Sequence, residues 1–224
     1  MAATEPRADR HRVTAIWPLV HAERAALAAD LGTMTDERWA TPSLCAGLTV
    51  REVLAHLTAA ASLTAVSWLT GVIRCRFDFD KQVAMRLAEQ LGASGDETLG
   101  RFRGVVTSTT KPPLPVLAML GESIVHGEDI RRPLGIRRAY PIGTLTRVAE
   151  YYQGSDQVVL AKGRIGGLRL AATDGPFAVG AGPLVSGTTL ALTMVMTGRP
   201  PYCDDLDGDG VATLRDRCEG GAAA

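Results

Sequence analysis

Glu122 and His126, in the stretch GESIVHGED, stand four residues apart. On an α-helix that interval leaves them about 40° apart with one turn of rise between them, so both side chains reach toward one point. A carboxylate and an imidazole meeting there can hold a divalent metal. On spacing alone, the same pair can equally hydrogen-bond to itself along the helix. Met119 and Ile130 share their stripe, and Leu117, Leu120 and Ile124 make a second apolar face. The helix is therefore expected inside a bundle, where ionisable groups need partners. His56 is the natural third member: on a helix starting at Val50 it lies about 60° from Val53, at the border of an apolar stripe. Two histidines and one glutamate from two helices make a zinc-type site with an open fourth position, as in catalytic rather than structural zinc.

These side chains need elements to carry them. From about residue 12 to 31, Val13, Ile16, Trp17, Val20, Leu27 and Leu31 recur at helical spacing and predict an amphipathic first helix, with Pro18 bending it or resetting its start. After the loop WATPSLCAG, Thr49 and Glu52 make a capping box, with Leu48 and Val53 placed as a hydrophobic staple, so a helix starts at Val50. The uncharged stretch Leu57–Ile73 is only 17 residues long and carries Thr and Ser throughout, which reads as a buried helix and not a membrane span. Further helices are expected over about 80–90, 96–107 and 116–132, the last following the KPPLP stop. Together they predict an antiparallel bundle.

Past PLGIRRAYPIG the pattern changes. One more helix is expected from Leu145 to Ala161, then a hairpin of LRLAATD and PFAVG turning at TDG. A short helix over Thr188–Met196 stops at TGRPP, and residues 210–217 form a last helical turn or two. The boundary falls near residue 140, giving a helical domain over 1–140 and a small α+β domain over 141–224.

Composition narrows the function classes. The 224 residues are 46% hydrophobic, with 24 basic and 24 acidic side chains, enough for a packed core but without the positive field that collects nucleic-acid phosphates. Four cysteines, at 45, 75, 203 and 218, are too few and too scattered for a disulfide framework or a zinc knuckle, which fits a reducing cytoplasm. The charged N-terminal stretch MAATEPRADRHR lacks the apolar core of an export signal. The expected partner is a small molecule, with neither nucleic acid nor membrane involved.

WATPSLCAGLTVREVLAHL resembles the first signature of the mycothiol-dependent maleylpyruvate isomerase family, a branch of the DinB-like metal-binding bundles, and GESIVHGEDIRRPLG resembles its second. LRLAATDGPFAVGAGPLVSGTTLALTMVMTGRP is similar to the family's small C-terminal domain. The resemblance implies a mainly α fold, a DinB-like four-helix bundle followed by a small α+β domain, with the active site in the bundle cavity at the domain junction. It implies that His56, Glu122 and His126 hold a divalent metal, zinc suiting them best, and that mycothiol is the thiol cosubstrate. Arg199 of TGRP matches the family's arginine for substrate or thiol contact and is the catalytic candidate, although an arginine there can equally serve the end of the preceding helix. Leu48 departs from the family's tryptophan, which leaves the substrate open. The implied activity is that of an isomerase or thiol S-transferase acting on a small electrophile. The rivals are a hydrolase with a metal-bound water and a non-catalytic small-ligand-binding protein. Oligomeric state is not fixed by the sequence.

Other candidates have milder readings. Asp205, Asp207, Asp209, Gly210 and Asp216 fit several calcium-loop positions, but no entering helix precedes them and position 12 is Asp, so an acidic turn capping the final helix is expected. Arg131, Arg132, Arg137 and Arg138 read as a solvated basic face. Asp129 reads either as partner to a ligand histidine or as partner to those arginines. Cys45, in the first signature, reads either as a thiol near the site or, the preferred reading, as a buried inert thiol, and His11 and His21 read as surface histidines.

Overall fold

The computed structural model describes residues 7–220, with side chains described from residue 15 onward except at 79 and 80. The readings for His11 and Val13 lie outside the described side chains. The chain divides into two compact units, Met1–Arg137 and Arg138–Ala224.

The first unit holds seven helices: α1 (Arg7–Asp30), α2 (Asp36–Trp39), α3 (Val50–Ser62), α4 (Ala65–Arg74), α5 (Phe79–Gln90), α6 (Gly95–Gly104) and α7 (Val116–Arg131). The capping box forms as the spacing predicts. Thr49 N donates to Glu52 Oε2 at 2.7 Å, Glu52 N donates to Thr49 Oγ1 at 3.4 Å, and α3 begins at Val50. Helix α3 packs against α5, α6 and α7, while α1 lies on α6 and α7. Leu27, Leu31, Trp39, Val53, Leu54 and Leu57 build the shared core. Gly95 opens α6 because a Cβ there would overlap the Trp39 indole.

Several expectations are corrected. Leu57–Ile73 is not one buried helix: Leu63 turns extended, Thr64 Oγ1 caps a new helix by accepting from Ser67 N at 3.1 Å, and α3 and α4 meet at a bend of 118°. Helix α4 leaves Val66, Leu69 and Ile73 exposed. No single helix among the described residues is long and apolar enough to cross a membrane, although the bent α3–α4 pair meets that test by length and composition together. Pro18 sits inside α1 without starting or ending it. Trp39, expected in a loop, closes the short α2 and is buried. His21 is half-buried with Nε2 3.3 Å from the Ser108 carbonyl, and the buried Arg24 donates to the same oxygen at 2.9 Å.

The second unit is α+β: α8 (Ile142–Gln153), α9 (Ala161–Arg164), β1 (Arg169–Ala172), β2 (Ala178–Gly180), β3 (Leu184–Gly187), α10 (Thr189–Met196), a 3-10 turn (Pro200–Asp205), β4 (Leu206–Asp207) and α11 (Val211–Gly220). The sheet runs β2-β1-β3-β4. The expected hairpin forms, with β1 and β2 antiparallel and Leu170 opposite Val179. Strand β3 joins β1 in parallel, Leu170 opposite Val185, and the two-residue β4 closes the far edge antiparallel to β3; neither strand was expected. Helix α8 stops at Gln153, where Gly154 forms its C-cap, short of the predicted Ala161. Helix α10 lies against α8, β1 and β3.

Candidate metal centre

Helix α3 carries His56 with Val53, Leu54 and Leu57 turned into the core, and His56 sits at the border of that stripe with about a quarter of its side chain exposed, 23%. Helix α7 is enclosed on nearly all sides, from Val116 and Met119 through Ile124 to Ile130, and carries Glu122 and His126 one turn apart. The fold brings all three together. Glu122 Oε2 lies 3.5 Å from His56 Nε2 and 3.5 Å from His126 Nε2, and the three ligand atoms lie within 4.8 Å of one another. The imidazoles stand edge to face, centroids 4.9 Å apart.

Those separations fit a metal. Ligand bonds of about 2.0–2.1 Å to a tetrahedral ion place ligand atoms roughly 3.3 Å from each other, whereas a charge-assisted hydrogen bond is about 2.7–2.9 Å. At 3.5 Å the donors are spaced as neighbours around a common centre.

Asp129 takes the first of its two expected roles. It is fully buried, and its Oδ2 accepts from His126 Nδ1 at 2.9 Å. That bond fixes the ring with Nδ1 as the donor to Asp129 and Nε2 facing Glu122, so that loss of the Nε2 proton to a metal gives the orientation a ligating histidine needs. Burial of the ring opposes its protonation, but the negative charge of Glu122 and the hydrogen bonds to Asp129 and Cys45 outweigh this and push the His126 pKa up to about 10. Cys45 is half-exposed and not the buried, inert thiol expected: it forms a second ligand-type group with His126 and Asp129.

His56, Glu122 and Met119 also line a pocket of about 180 Å³, walled by Leu63 and Leu114 and bounded by Trp68 of α4 and by Gln82 and Arg86 of α5. The sequence reading missed the last three, because only the fold brings α4 and α5 to this wall.

Other candidates resolve differently. Arg131 is fully buried, its Nε donating to Asp30 Oδ2 at 2.7 Å, which corrects the solvated basic face; Arg137 is exposed and Arg138 lies over the Tyr140 ring. In the second unit, Arg199 donates through Nη1 to the carbonyl of Thr197, the C-cap of α10, at 2.6 Å. Asp205, Asp207 and Asp209 are exposed, Leu206–Asp207 forms β4, and Asp204 pairs with Arg215 at 2.7 Å. Neither of the ligand-type groups that converge among the described residues includes an aspartate of this segment.

The fold and the site define a class: a helical bundle with a histidine–glutamate cluster between two of its helices, followed by a small α+β unit. Residues 20–113 match the family model of the mycothiol maleylpyruvate isomerase N-terminal domain. This is the family read from the two motifs, and the second motif lies beyond the matched stretch. A solved structure of a histidine-to-alanine variant of the mycothiol-dependent maleylpyruvate isomerase is similar over 88% of this chain and 92% of its own, with a TM-score of 0.62 at 15% identity. A second structure of that isomerase covers the same shares with a TM-score of 0.54 at 13% identity. At these identities the likeness is one of fold. No curated protein matches the chain significantly.

Proposed function

We propose that the protein is a mycothiol-dependent metalloenzyme, an isomerase or thiol S-transferase acting on a small electrophile, with His56, Glu122 and His126 as its metal ligands. The observation that carries this reading is the convergence of three ligand atoms within 4.8 Å, two of whose residues, His56 and Glu122, line a mostly apolar pocket. A divalent metal bound there, zinc by the donor set, supplies a Lewis-acidic position that lowers the pKa of a coordinated thiol. The chain's residues do the rest. Asp129 holds the His126 ring in its ligating orientation, and Glu122 offsets part of the metal's charge while two neutral imidazoles leave a net positive centre. Leu63, Leu114 and Met119 give the pocket beside His56 and Glu122 its apolar lining.

The role of Arg199 comes from the resemblance. Its guanidinium would orient the electrophile or stabilise the enolate oxygen formed when sulfur adds to it. Addition, bond rotation and elimination give isomerisation, and release of the adduct gives transfer. The test is the metal content of wild type and of His126→Ala, followed by calorimetric titration of the metal-loaded wild type with mycothiol. About one metal per chain, lost in the variant, with metal-dependent thiol binding supports the reading. Metal without thiol binding favours the hydrolase, and a folded wild type that takes up no metal overturns both enzyme readings. In the same assay, Arg199→Gln should bind metal and thiol as wild type does and lose turnover; unchanged turnover removes Arg199 from the chemistry.

A further inference from the structure

Cys203 and Cys218, distant in the chain, meet in the second unit. Cys203 lies in the 3-10 turn Pro200–Asp205 and Cys218 on α11, and these two elements pack against each other. The two sulfurs share a hydrogen bond, and Cys218 Sγ also donates to the Val195 carbonyl of α10 at 3.3 Å. Each residue is 2% exposed, and both thiols are free. Their surroundings differ. The hydrogen bond from Cys218 and the charge of Arg215 hold the Cys203 thiol below its ordinary value, against burial and the charges of Asp204 and Glu219. The same hydrogen bond and burial push Cys218 up. Two thiols in contact, one more readily a thiolate and the other keeping its proton, make a nucleophile and its resolving partner.

We propose that Cys203 and Cys218 are a reversible dithiol–disulfide site, at which a hydroperoxide is reduced and α11 becomes bonded to the turn that Arg199 opens. The Cys203 thiolate attacks one peroxide oxygen and the O–O bond breaks; the oxygen anion that leaves takes up the proton Cys203 gave up, and Cys203 becomes a sulfenic acid. Cys218 sulfur then attacks the Cys203 sulfur, the S–S bond forms, and the hydroxyl departs as water with the Cys218 proton. The two sulfurs lose two electrons and the peroxide gains them. A dithiol in solution reverses the bond by two exchange steps. Helix α11 buries Leu214 and Cys218 and leaves Thr213, Asp216 and Glu219 exposed, so local opening of this helix admits a small oxidant. The bond closes a loop of roughly 15 residues and takes freedom from the opened state. This site belongs to the second unit and stands or falls apart from the metal centre of the first.

The probe is hydrogen peroxide on the folded, full-length wild type, read by mass and by differential alkylation of the cysteines. The expected product is lighter by about 2 Da, links Cys203 to Cys218 within one chain, and returns to the starting mass with dithiothreitol. Amide hydrogen exchange in α11 should slow at least about tenfold in the oxidised form. Both readouts use the wild type, so neither depends on a buried variant folding. With Cys218→Ser, dimedone should trap a sulfenic acid at Cys203; with Cys203→Ser it should trap none at Cys218. A folded protein oxidised only at Cys45 or Cys75, a Cys203–Cys218 link that forms only in urea, unchanged exchange in α11 after linkage, or a sulfenic acid trapped at Cys218 and not at Cys203 overturns the proposal.

Discussion

Helices α7 and α4 both border the pocket, one through Met119 and Glu122 and the other through Trp68, yet they are held in opposite ways. Helix α7 is buried nearly all round, and its polar groups have fixed partners: Ser123 Oγ on the Met119 carbonyl, His126 on Asp129 and Arg131 on Asp30. Helix α4 keeps an apolar stripe of Val66, Leu69 and Ile73 in solvent and is hooked from below by Gln82 and Arg86. The metal ligands on α7 therefore sit in a framework where each polar group depends on another, while the α4 wall hangs on a few side-chain bonds. Burial makes the first wall specific, and exposure makes the second adjustable.

The comparison can be broken most strongly at Arg131. Arg131→Ala removes a fully buried side chain from its pair with the partly exposed Asp30, and it should destabilise the first unit by about 3–5 kcal/mol in denaturant unfolding. A loss under about 1 kcal/mol would mean that α7 does not depend on this pair. Asp129→Asn keeps the shape and removes the charge behind His126; metal affinity should fall about ten- to hundredfold by competition with a chromophoric chelator.

His126 gives a pH dependence whose sign is fixed by its raised pKa. In the metal-free protein the stabilising contribution of its proton is fully present below the unfolded value of about 6.5 and is lost as pH rises through about 10, so thermal stability should decline across that window. Metal must displace the same proton, so its affinity should rise up to about tenfold per pH unit between pH 7 and 8. A metal affinity flat in pH would contradict the assignment of His126 Nε2 as a ligand. The smallest effect belongs to α4: Ile73→Lys, on its exposed stripe, should change stability by no more than about 0.5 kcal/mol. A loss above about 2 kcal/mol would show that this stripe is covered in solution and would erase the contrast with α7.

What the sequence disclosed is what short spacings encode. Thr49 with Glu52, Glu122 with His126, and the LRLAATD–PFAVG pair are each built within one turn of helix or across one tight turn, and each forms as the pattern says. The features that were hidden depend on distance. Arg131 meets Asp30 from 101 residues away, and four arginines in one stretch look solvated until that partner is in place. The break between α3 and α4 carries neither glycine nor proline, only Thr64 as a cap, so an apolar run was read through it. Cys45 in its loop beside His126, and Arg86 of α5 at the pocket wall, required the packing of segments distant in the chain. The parallel partnership of β1 and β3 could not be read from either strand, since neither RLAA nor LVSG encodes a direction or a partner.

The sheet of the second unit has a property that its strand order imposes. Its two inner members, β1 and β3, are the four-residue strands, and the outer positions are held by a three-residue β2 and a two-residue β4. An incoming chain would find only a few unpaired amide and carbonyl groups at either border, too few to template an added strand. The small α+β unit is thereby guarded against fibre growth, by truncation of its margins rather than by charge.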